Sequence, residues 1–519
     1  MPKKFFNIAG PIKPAEHYFI PNRLSVDLLL DLIDRGQYFV LHAPRQSGKT
    51  TSISELIQII NKAGVYNALY VNIETAQAMR EDVKEALLAI IDSLKHEIKK
   101  KFPEEKETIA YFEEIITQKI PTTVIVLQKA LSFWAAHSKK PLVLFIDEID
   151  SLIGDSLLSV LRQIRAGYID RPDHFPKSIC LVGLRDVRDY RIWSKESGAY
   201  ISAASPFNIK ATSILLPNFT LEEVRNLYHQ HTEATGQVFE PDSIEHAFYL
   251  TQGQPWLVNA LADQCCFKEI VDRSCAITKQ DIEQAKNQLI FRRDTHIDSL
   301  VDKLSEPRVI PIIDAILSGE EAARNFPPDD VQYLRDLGLV AQNSFCIANP
   351  IYKEIIPREL TWVTQGAIQK EGVFYQNPDG SLNFTALMQR FTQFFRENSE
   401  AWLHDFKYIE AGPHLLMMAF LQRIINGGGE ILREYALGRK RLDLLITWKK
   451  QKIVVEIKIR HSESVLSEGL VQTKSYLDKS GANEAHLVIF DRDSKKSWEE
   501  KISSETVTFS GHKITVWTL

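Results

Sequence analysis

Residues 39–60 read FVLHAPRQSGKTTSISELIQII, and a strand, a turn and a helix meet in them. Phe39 to His42 continue an apolar run that starts near Gly36. Ile53, Leu56, Ile57 and Ile60 recur at the i, i+3, i+4, i+7 spacing of one helical face. Between the two lies Ala43-x-x-x-x-Gly48-Lys49-Thr50, the spacing of a P-loop with alanine in place of the first glycine. In such a turn, backbone N–H groups and the helix N-terminus cradle phosphate oxygens. The candidate nucleotide contacts are therefore Ala43, Pro44, Arg45, Gln46, Ser47, Gly48, Lys49, Thr50 and Thr51. Lys49 reaches the β/γ-phosphates and the Thr50 hydroxyl ligates Mg²⁺. Gly64 suits the C-terminal cap of the helix. The bland alternative, a chance Gly-Lys-Thr in a turn, leaves the flanking strand and stripe unexplained.

Outward from this stretch, apolar runs at 66–74, 141–148 and 178–184 alternate with amphipathic helical patterns. That alternation predicts a parallel sheet covered on both faces. In LVLFIDEIDSL (142–152), Asp147 and Glu148 emerge from a buried strand. Asp147 can hold Mg²⁺, directly or through water, and Glu148 can orient or deprotonate an attacking water. An acidic helix start after a strand is the structural alternative. Arg185, at the end of the run 178–184, is placed to sense a γ-phosphate. Arg162, Arg165 and Arg188 are candidates for an arginine supplied to a neighbour, with surface ion pairing as the alternative.

HYFIPNR (17–23), APRQSGKTT (43–51), LFIDEID (144–150), GLRDVRDYR (183–191) and GQPWLVNALA (253–262) carry a family resemblance. Residues 1 to about 360 resemble the AAA-like ATPases related to the signal-transducing (STAND) and archaeal ATPase clans. The resemblance implies an α/β fold: an ASCE-type P-loop NTPase core at 1–215, binding ATP and Mg²⁺. It also implies a helical lid at 216–290 with its turn at Gly253-Gln254-Pro255, then a winged-helix-like domain at 291–360. Such ATPases look like nucleotide-dependent switches. From the residues alone, 337–349 read as a small hairpin turning at Gln342-Asn343-Ser344, and a generic helical lid would read similarly.

Composition sets the outer bounds. At 519 residues the chain is long enough for about three domains. Its 44% hydrophobic and 25% charged residues are ordinary for a globular protein. A net charge of −5 gives no global pull toward nucleic acid, so DNA binding must come from local patches. The five cysteines include no C-x-x-C pair, which points to buried free thiols. No apolar run approaches the roughly 18 residues that span a bilayer. MPKKFFNIAGPIKP (1–14) has basic residues without an apolar core behind them, unlike a signal peptide. The expectation is a cytoplasmic chain without a membrane partner. Residues 361–383, with the turn cluster NPDGS (377–381), read as a linker.

RLDLLITWKKQKIVVEIKIRH (441–461) sets Asp443, Glu456 and Lys458 inside two apolar runs joined by a polar turn. Alternation puts Glu456 and Lys458 on one face, and folding back at 449–452 brings Asp443 near Glu456. Two carboxylates converging in an apolar sheet repel and lose hydration, so they need a cation. A hard divalent ion such as Mg²⁺ fits, and the lysine can stabilise a phosphorane-like transition state. Arg439, Lys440, Arg441, Lys449, Lys450, Lys452 and Arg460 add a basic rim suited to a phosphodiester backbone. A solvated hairpin kept soluble by its charges is the alternative.

Asp443, twelve intervening residues, then Glu456-x-Lys458 is similar to the PD-(D/E)XK nuclease superfamily. The similarity implies a restriction-endonuclease-like α/β domain at 384–519, with Gln472 and Tyr476 as the helical Gln-x-x-x-Tyr pair that supports the site. Many members place a further glutamate in the first helix. Here that helix, 412–426, offers only His414 and Gln422, so Glu434, or else Glu430, takes the role as a metal ligand. The expected function is an ATP-binding, ATP-hydrolysing switch coupled to a Mg²⁺-dependent nuclease, with Mn²⁺ also admissible at the nuclease site. Its substrate is expected to be nucleic acid, DNA before RNA, with a homo-oligomer or a regulatory protein as further partner. The alternative is an ATP-dependent DNA- or protein-binding regulator with an inactive nuclease fold.

Overall fold

The computed structural model describes residues 4–519 apart from 81, 120–124, 187–190, 195–198, 203–207, 293–299, 301, 318–324, 361–374, 406–411, 426–428, 438–439, 461–463 and 492–495. The chain divides into two compact units. The first is Met1–His296 with Pro327–Ser344 and Ala348–Pro350; the second is Ile297–Phe326 with Phe345–Ile347 and Ile351–Leu519. Among the described residues no helix is long and apolar enough to cross a membrane.

The first unit is built on a parallel sheet. Its strands are β1 (Tyr38–His42), β2 (Asn67–Asn72), β3 (Leu142–Asp147), β4 (Ser178–Gly183) and, after a short hairpin of β5 (Arg191–Ser194) and β6 (Ala199–Ser202), β7 (Lys210–Leu215). They lie in the order β2-β3-β4-β1-β7. Every neighbouring pair is parallel. β4 therefore stands between the strand that feeds the Gly-Lys-Thr turn and the strand that ends in Asp147. This is the α/β arrangement of a P-loop NTPase core.

Side-chain alternation divides the sheet's two faces. Phe39, Leu41, Val143 and Phe145 join Ile53, Leu56, Ile57 and Ile60 of the helix Lys49–Ala63 in one apolar cluster. Tyr38, Val40, Leu144 and Ile146 face the other cluster, against the helices Val83–Lys101, Val126–His137 and Gly154–Gly167. All six residues of β3 are buried, the expected pattern of a strand covered on both sides. Each fully buried Leu or Ile contributes roughly 1.5–3 kcal/mol. The helix Lys49–Ala63 stops at Gly64, whose positive φ of 76° lets its N–H bond to the carbonyls of Ile60 and Asn61.

Four longer helices follow: Leu221–Thr235, Pro241–Thr251, Pro255–Gln264 and Lys279–Arg292. The first opens on a capping box between Thr220 and Glu223. The Gly253-Gln254-Pro255 turn has a steric reason for its glycine. Phe219 N–H bonds to Gly253 O at 2.8 Å, and a Cβ at 253 would lie 1.9 Å from Phe219 O. Pro255 begins the next helix, where its missing N–H costs nothing.

The region expected to be a winged helix differs in two respects. The helix Pro328–Asp336 is present, but residues 337–349 form no strand longer than a single bridge residue. The first unit takes 327–344, while 297–326 and 351 onward group with the second.

The second unit carries β8 (Gly429–Leu437), β9 (Lys440–Trp448), β10 (Gln451–Ile459), β11 (Glu484–Phe490), β12 (Ser503–Phe509) and β13 (His512–Thr518), in the order β12-β13-β11-β10-β9-β8. β8, β9 and β10 form an antiparallel meander. β10, β11 and β13 run parallel, with the helix Val465–Ser480 crossing between β10 and β11. Leu444, Val455 and Ile457 pack under Phe391, Leu416 and Phe420 of the helices Phe384–Asp405 and Gly412–Ile425. Leu445 and Val454 face Leu470 and Tyr476 on the other side.

Part of the stretch read as a linker is stitched to this sheet. Gly380 O accepts from Trp448 Nε1 at 3.1 Å and from Lys449 Nζ at 2.8 Å, and Leu382 N–H donates to Gln451 Oε1. Residues 375–383 thus belong to the second unit's body, while 361–374 lie outside the described residues.

Candidate functional site

The turn after β1 is shaped by two residues with positive φ, Gln46 at 56° and Gly48 at 90°. Ala43, in the first-glycine position, is fully buried, and its methyl joins the apolar cluster beneath the helix Lys49–Ala63. Arg45 and Gln46 are exposed and Ser47 is buried. The Ser47 hydroxyl has no hydrogen-bond partner among the described residues. Lys49 folds back over the loop, donating to Ala43 O at 2.7 Å and Pro44 O at 3.1 Å. Burial holds the Lys49 ammonium below its usual pKa, opposed by Asp147, Glu148 and Asp150. A nucleotide's phosphates would supply the stronger acceptor that this site lacks in carbonyl oxygens alone. Thr51 turns elsewhere, accepting from Ile12 N–H at 3.3 Å.

The end of β3 meets this loop. The Thr50 hydroxyl donates to Asp147 Oδ2 at 3.2 Å, and the Tyr70 hydroxyl donates to the same oxygen at 2.8 Å. Asp147 Oδ1 accepts from Glu148 N–H. The Thr50 hydroxyl and the Asp147 carboxylate are the two protein oxygens that would hold Mg²⁺, with phosphates and water completing six-fold coordination. No cluster of three or more His, Cys, Asp or Glu converges as a metal cage among the described residues. A nucleotide-borne Mg²⁺ does not require one.

Glu148 sits in the left-handed region, φ 59° and ψ 40°. A non-glycine residue is uncommon there, and such conformations recur at functional sites. Its carboxyl pKa is pushed up to about 7, first by burial and then by the neighbouring charges of Asp150 and Asp147. Asp150 has a separate job. Its Oδ1 accepts from Leu184 N–H at 3.1 Å, and a Cβ on Gly183 would come within 2.7 Å of that oxygen. The acidic end of β3 is thereby fastened to the end of β4.

Arg185 follows Leu184, yet its guanidinium is committed to protein. Nε donates to Asp336 Oδ2 at 3.0 Å, and the group lies 4.8 Å from the centre of the Tyr333 ring. Arg162 and Arg165 are exposed on the helix Gly154–Gly167. Arg188 lies outside the described residues.

Two participants carry no signal that sequence spacing could expose. Tyr70 reads as one more apolar strand residue until β2 pairs with β3. Arg23 is the other. It donates to Ser47 O at 2.5 Å and to Pro217 O, and stacks over Phe219. Burial lowers its pKa to about 10. It joins the turn after β1 to the segment before the helix Leu221–Thr235, and HYFIPNR contains it without indicating that Ser47 and Pro217 converge on it.

In the second unit, Glu456 is buried and Lys458 Nζ lies 2.7 Å from its Oε1. Leu444 pairs with Val455, so Asp443 and Glu456 are the next residues along β9 and β10. On the far side, Arg433 pairs with Leu444 and Tyr435 with Leu442, which sets Glu434 level with Asp443. Three acidic positions, 434, 443 and 456, thus stand in one row across β8, β9 and β10. Of Glu434 and Asp443 the backbone alone is described. Glu430 is off this row, opposite Thr447. Tyr476 is buried against Val454 and Leu445, and half-buried Gln472 lies one turn earlier on the same helix. Gln472 Oε1 has no hydrogen-bond partner among the described residues.

No protein-family model matches the chain, and no curated protein does. Several solved structures are similar to it. The Walker-type ATPase PABY2304 of Pyrococcus abyssi matches at 14% identity with a TM-score of 0.47, over 68% of this chain and 99% of its own. Cdc6p from Pyrobaculum aerophilum matches at 13% identity and a TM-score of 0.36, over 73% and 96%. The Thermotoga maritima RuvB Holliday junction branch migration motor matches at 16% identity and a TM-score of 0.33, over 64% and 92%.

Proposed function

We propose that the chain binds and hydrolyses ATP in its first unit and uses the bound state to license a metal-dependent nuclease in its second. The observation that carries the ATPase half is the meeting of Thr50, Lys49 and Asp147 at the ends of β1 and β3. Lys49 binds the β/γ-phosphates, while Thr50 and Asp147 hold Mg²⁺, which supplies charge neutralisation between the phosphates. Glu148, with its pKa raised to about 7, accepts a proton from the attacking water at its carboxylate.

The row of Glu434, Asp443 and Glu456, with Lys458 two residues on, supports the nuclease half. Residues paired across neighbouring strands share a face, with strands about 4.8 Å apart. Acidic residues at three neighbouring strand positions are the residue types that would supply oxygen ligands to Mg²⁺ or Mn²⁺. Lys458 is the cation available to a phosphate oxygen in the transition state. DNA is the preferred substrate and RNA the other phosphodiester to test.

A second reading is a regulator whose nuclease fold is inactive. The 2.7 Å contact between Lys458 and Glu456 favours it, since the ammonium occupies one of the oxygens a metal would need. One experiment separates them. Linear, nicked and supercoiled DNA, and an RNA of the same sequence, are incubated with Mg²⁺ or Mn²⁺, with and without ATP. Wild type is compared with Glu456→Ala and Lys49→Ala. Metal-dependent cleavage that Glu456→Ala abolishes supports the nuclease. Cleavage that survives Glu456→Ala removes this site from the reaction.

A further inference from the structure

Arg460 belongs to the basic rim expected around the acid row, and it shares a face with Glu456 and Lys458. Val454 of β10 packs in the cluster under the helix Val465–Ser480. Alternation points Glu456, Lys458 and Arg460 to that same face, each two residues beyond the last. Glu456 is buried, and Lys458 and then Arg460 reach progressively toward water. Lys449, Lys450 and Lys452 lie at the other end of β10, where Gly380 O accepts from Lys449 Nζ.

The end of β11 brings Arg460 its partner. The parallel pairing of Ile459 with Phe490 continues one residue further, as Arg460 N–H donates to Phe490 O at 2.9 Å. Asp491 therefore stands beside Arg460, on the face that Leu487 and Ile489 present to the same cluster. Its N–H donates to Leu519 O at 2.6 Å, which fixes it at the end of the sheet. One oxygen, Asp491 Oδ2, meets two cations: Arg460 Nε at 3.3 Å and Lys496 Nζ at 2.8 Å. The carboxylate is 4% exposed, against 37% for Arg460 and 39% for Lys496.

One cation suffices to balance a buried carboxylate. Here there are two, so the three groups carry a net positive charge, and both cations reach water while their anion does not. Lys458 and Glu456, close by, cancel each other. Arg460 approaches Asp491 through Nε, and among the described residues it has no second carboxylate. The other edge of a guanidinium is a planar fork that matches phosphate oxygens. Two residues along a strand advance about 6.6 Å, comparable with the step between successive phosphates of a nucleic-acid strand. We propose that Arg460 and Lys496, held together by Asp491, form a second phosphate site that binds a backbone phosphodiester one nucleotide from the bond cut beside Lys458. The proposal rests on the nuclease reading of the acid row. It makes Arg460 and Lys496 strand-binding residues and Asp491 the positioning residue that orients them.

Binding of the full chain to a fluorescent duplex of mixed sequence is followed by anisotropy in EDTA, where a metal-dependent nuclease does not cut. Salt is raised from about 50 to about 200 mM. Arg460→Ala and Lys496→Ala are each expected to weaken binding about tenfold at the lower salt, and to reduce the slope of log K against log salt by about one. Arg460→Lys keeps the charge and is expected to keep the wild-type slope.

A lower melting temperature with the wild-type slope would mean that these pairs only tie strand ends together, and would overturn the proposal. So would a loss seen on a 5′-phosphorylated duplex and not on one with 5′-hydroxyl ends, because the occupant would then be a terminal phosphate. Lys496→Ala, on a separate segment, gives the same test should Arg460→Ala fail to fold. Wild type that binds no duplex overturns this proposal and the nucleic-acid reading together. Wild type that binds, with both alanine variants unchanged, overturns this proposal alone.

Discussion

The Thr50 hydroxyl and the Asp147 carboxylate stand 3.2 Å apart, although β4 lies between the strands that deliver them. The Tyr70 hydroxyl, 2.8 Å from the same Asp147 oxygen, fixes that carboxylate from the neighbouring strand β2. If Thr50 holds Mg²⁺ as proposed, Thr50→Val is expected to lower ATP hydrolysis about 100-fold. Tyr70→Phe removes only the support, and the Mg²⁺ needed for half-maximal hydrolysis is expected to rise about tenfold. Mg²⁺ titrations of the ATPase rate measure both. A Tyr70→Phe enzyme with an unchanged Mg²⁺ requirement contradicts the assignment.

Glu148 gives the site a pH signature. Its folded pKa, about 7, lies above the ordinary glutamate value, because burial and the charges of Asp150 and Asp147 disfavour the carboxylate. A raised pKa means that the folded state favours the proton. The corresponding stability is fully present below the ordinary value near 4.5 and is lost as pH rises through about 7. Glu148→Gln does not titrate, so its melting temperature should gain on wild type as pH rises from about 4.5 to about 7. If Glu148 is the proton acceptor proposed above, the same substitution is expected to slow ATP hydrolysis about 100-fold or more at unchanged nucleotide affinity. Parallel thermal melts across pH and a binding titration test the two halves.

The sheet of the first unit is largely legible in the sequence because β1, β3 and β4 are buried on both faces. The runs in β1 to β4 are continuous stretches of apolar residues, and the Gly-Lys-Thr turn lies between one of them and a striped helix. Two edge strands carry weaker patterns. β7 reads KATSIL and is only half-buried, and β12 reads SSETVTF and is mostly exposed, so neither shows a core pattern. Long-range pairings escaped for a different reason. Asp336 in YLRDLGLV looks like an ordinary helix-end carboxylate, and only folding brings Arg185 to it. NPDGS is a turn, with Asp379 Oδ1 accepting from Ser381 N–H and Gly380 at φ 76°. Its attachment to Trp448 and Lys449 is tertiary, and no local pattern announces it.

Gly253 and Gly236 offer a controlled comparison of backbone strain and steric overlap. Both have positive φ, 71° and 81°. Beyond Gly236 nothing lies within 4 Å of an added Cβ, while at Gly253 the Phe219 carbonyl oxygen is 1.9 Å away. Gly236→Ala is expected to cost about 1–2 kcal/mol, the left-handed penalty alone. Gly253→Ala must also push apart the 2.8 Å Phe219–Gly253 hydrogen bond, and a loss of about 4 kcal/mol or more is expected. Urea unfolding of both variants gives the difference. Equal losses would mean that the Gly253-Gln254-Pro255 turn relaxes freely and does not hold Phe219 under Arg23.

The row of acids in the second unit predicts that metal binding and cleavage respond differently to its members. Glu434, Asp443 and Glu456 stand level on three strands, and Lys458 Nζ lies 2.7 Å from Glu456. If the carboxylates are ligands, Asp443→Asn and Glu456→Gln should each weaken Mn²⁺ binding about 10–100-fold and abolish cleavage. Glu434→Gln should weaken binding too, whereas Glu430→Gln, opposite Thr447 and off the row, should not. On the same reading Lys458, 2.7 Å from Glu456, competes with the metal for that carboxylate and aids the reaction electrostatically. Lys458→Ala should therefore retain or tighten Mn²⁺ binding while cleavage falls about 100-fold or more. Calorimetric Mn²⁺ titrations and DNA cleavage on the same five variants provide both readouts. Loss of metal binding on Lys458→Ala, or its retention on Asp443→Asn, would mean that the row does not hold the ion and that the fold serves another purpose.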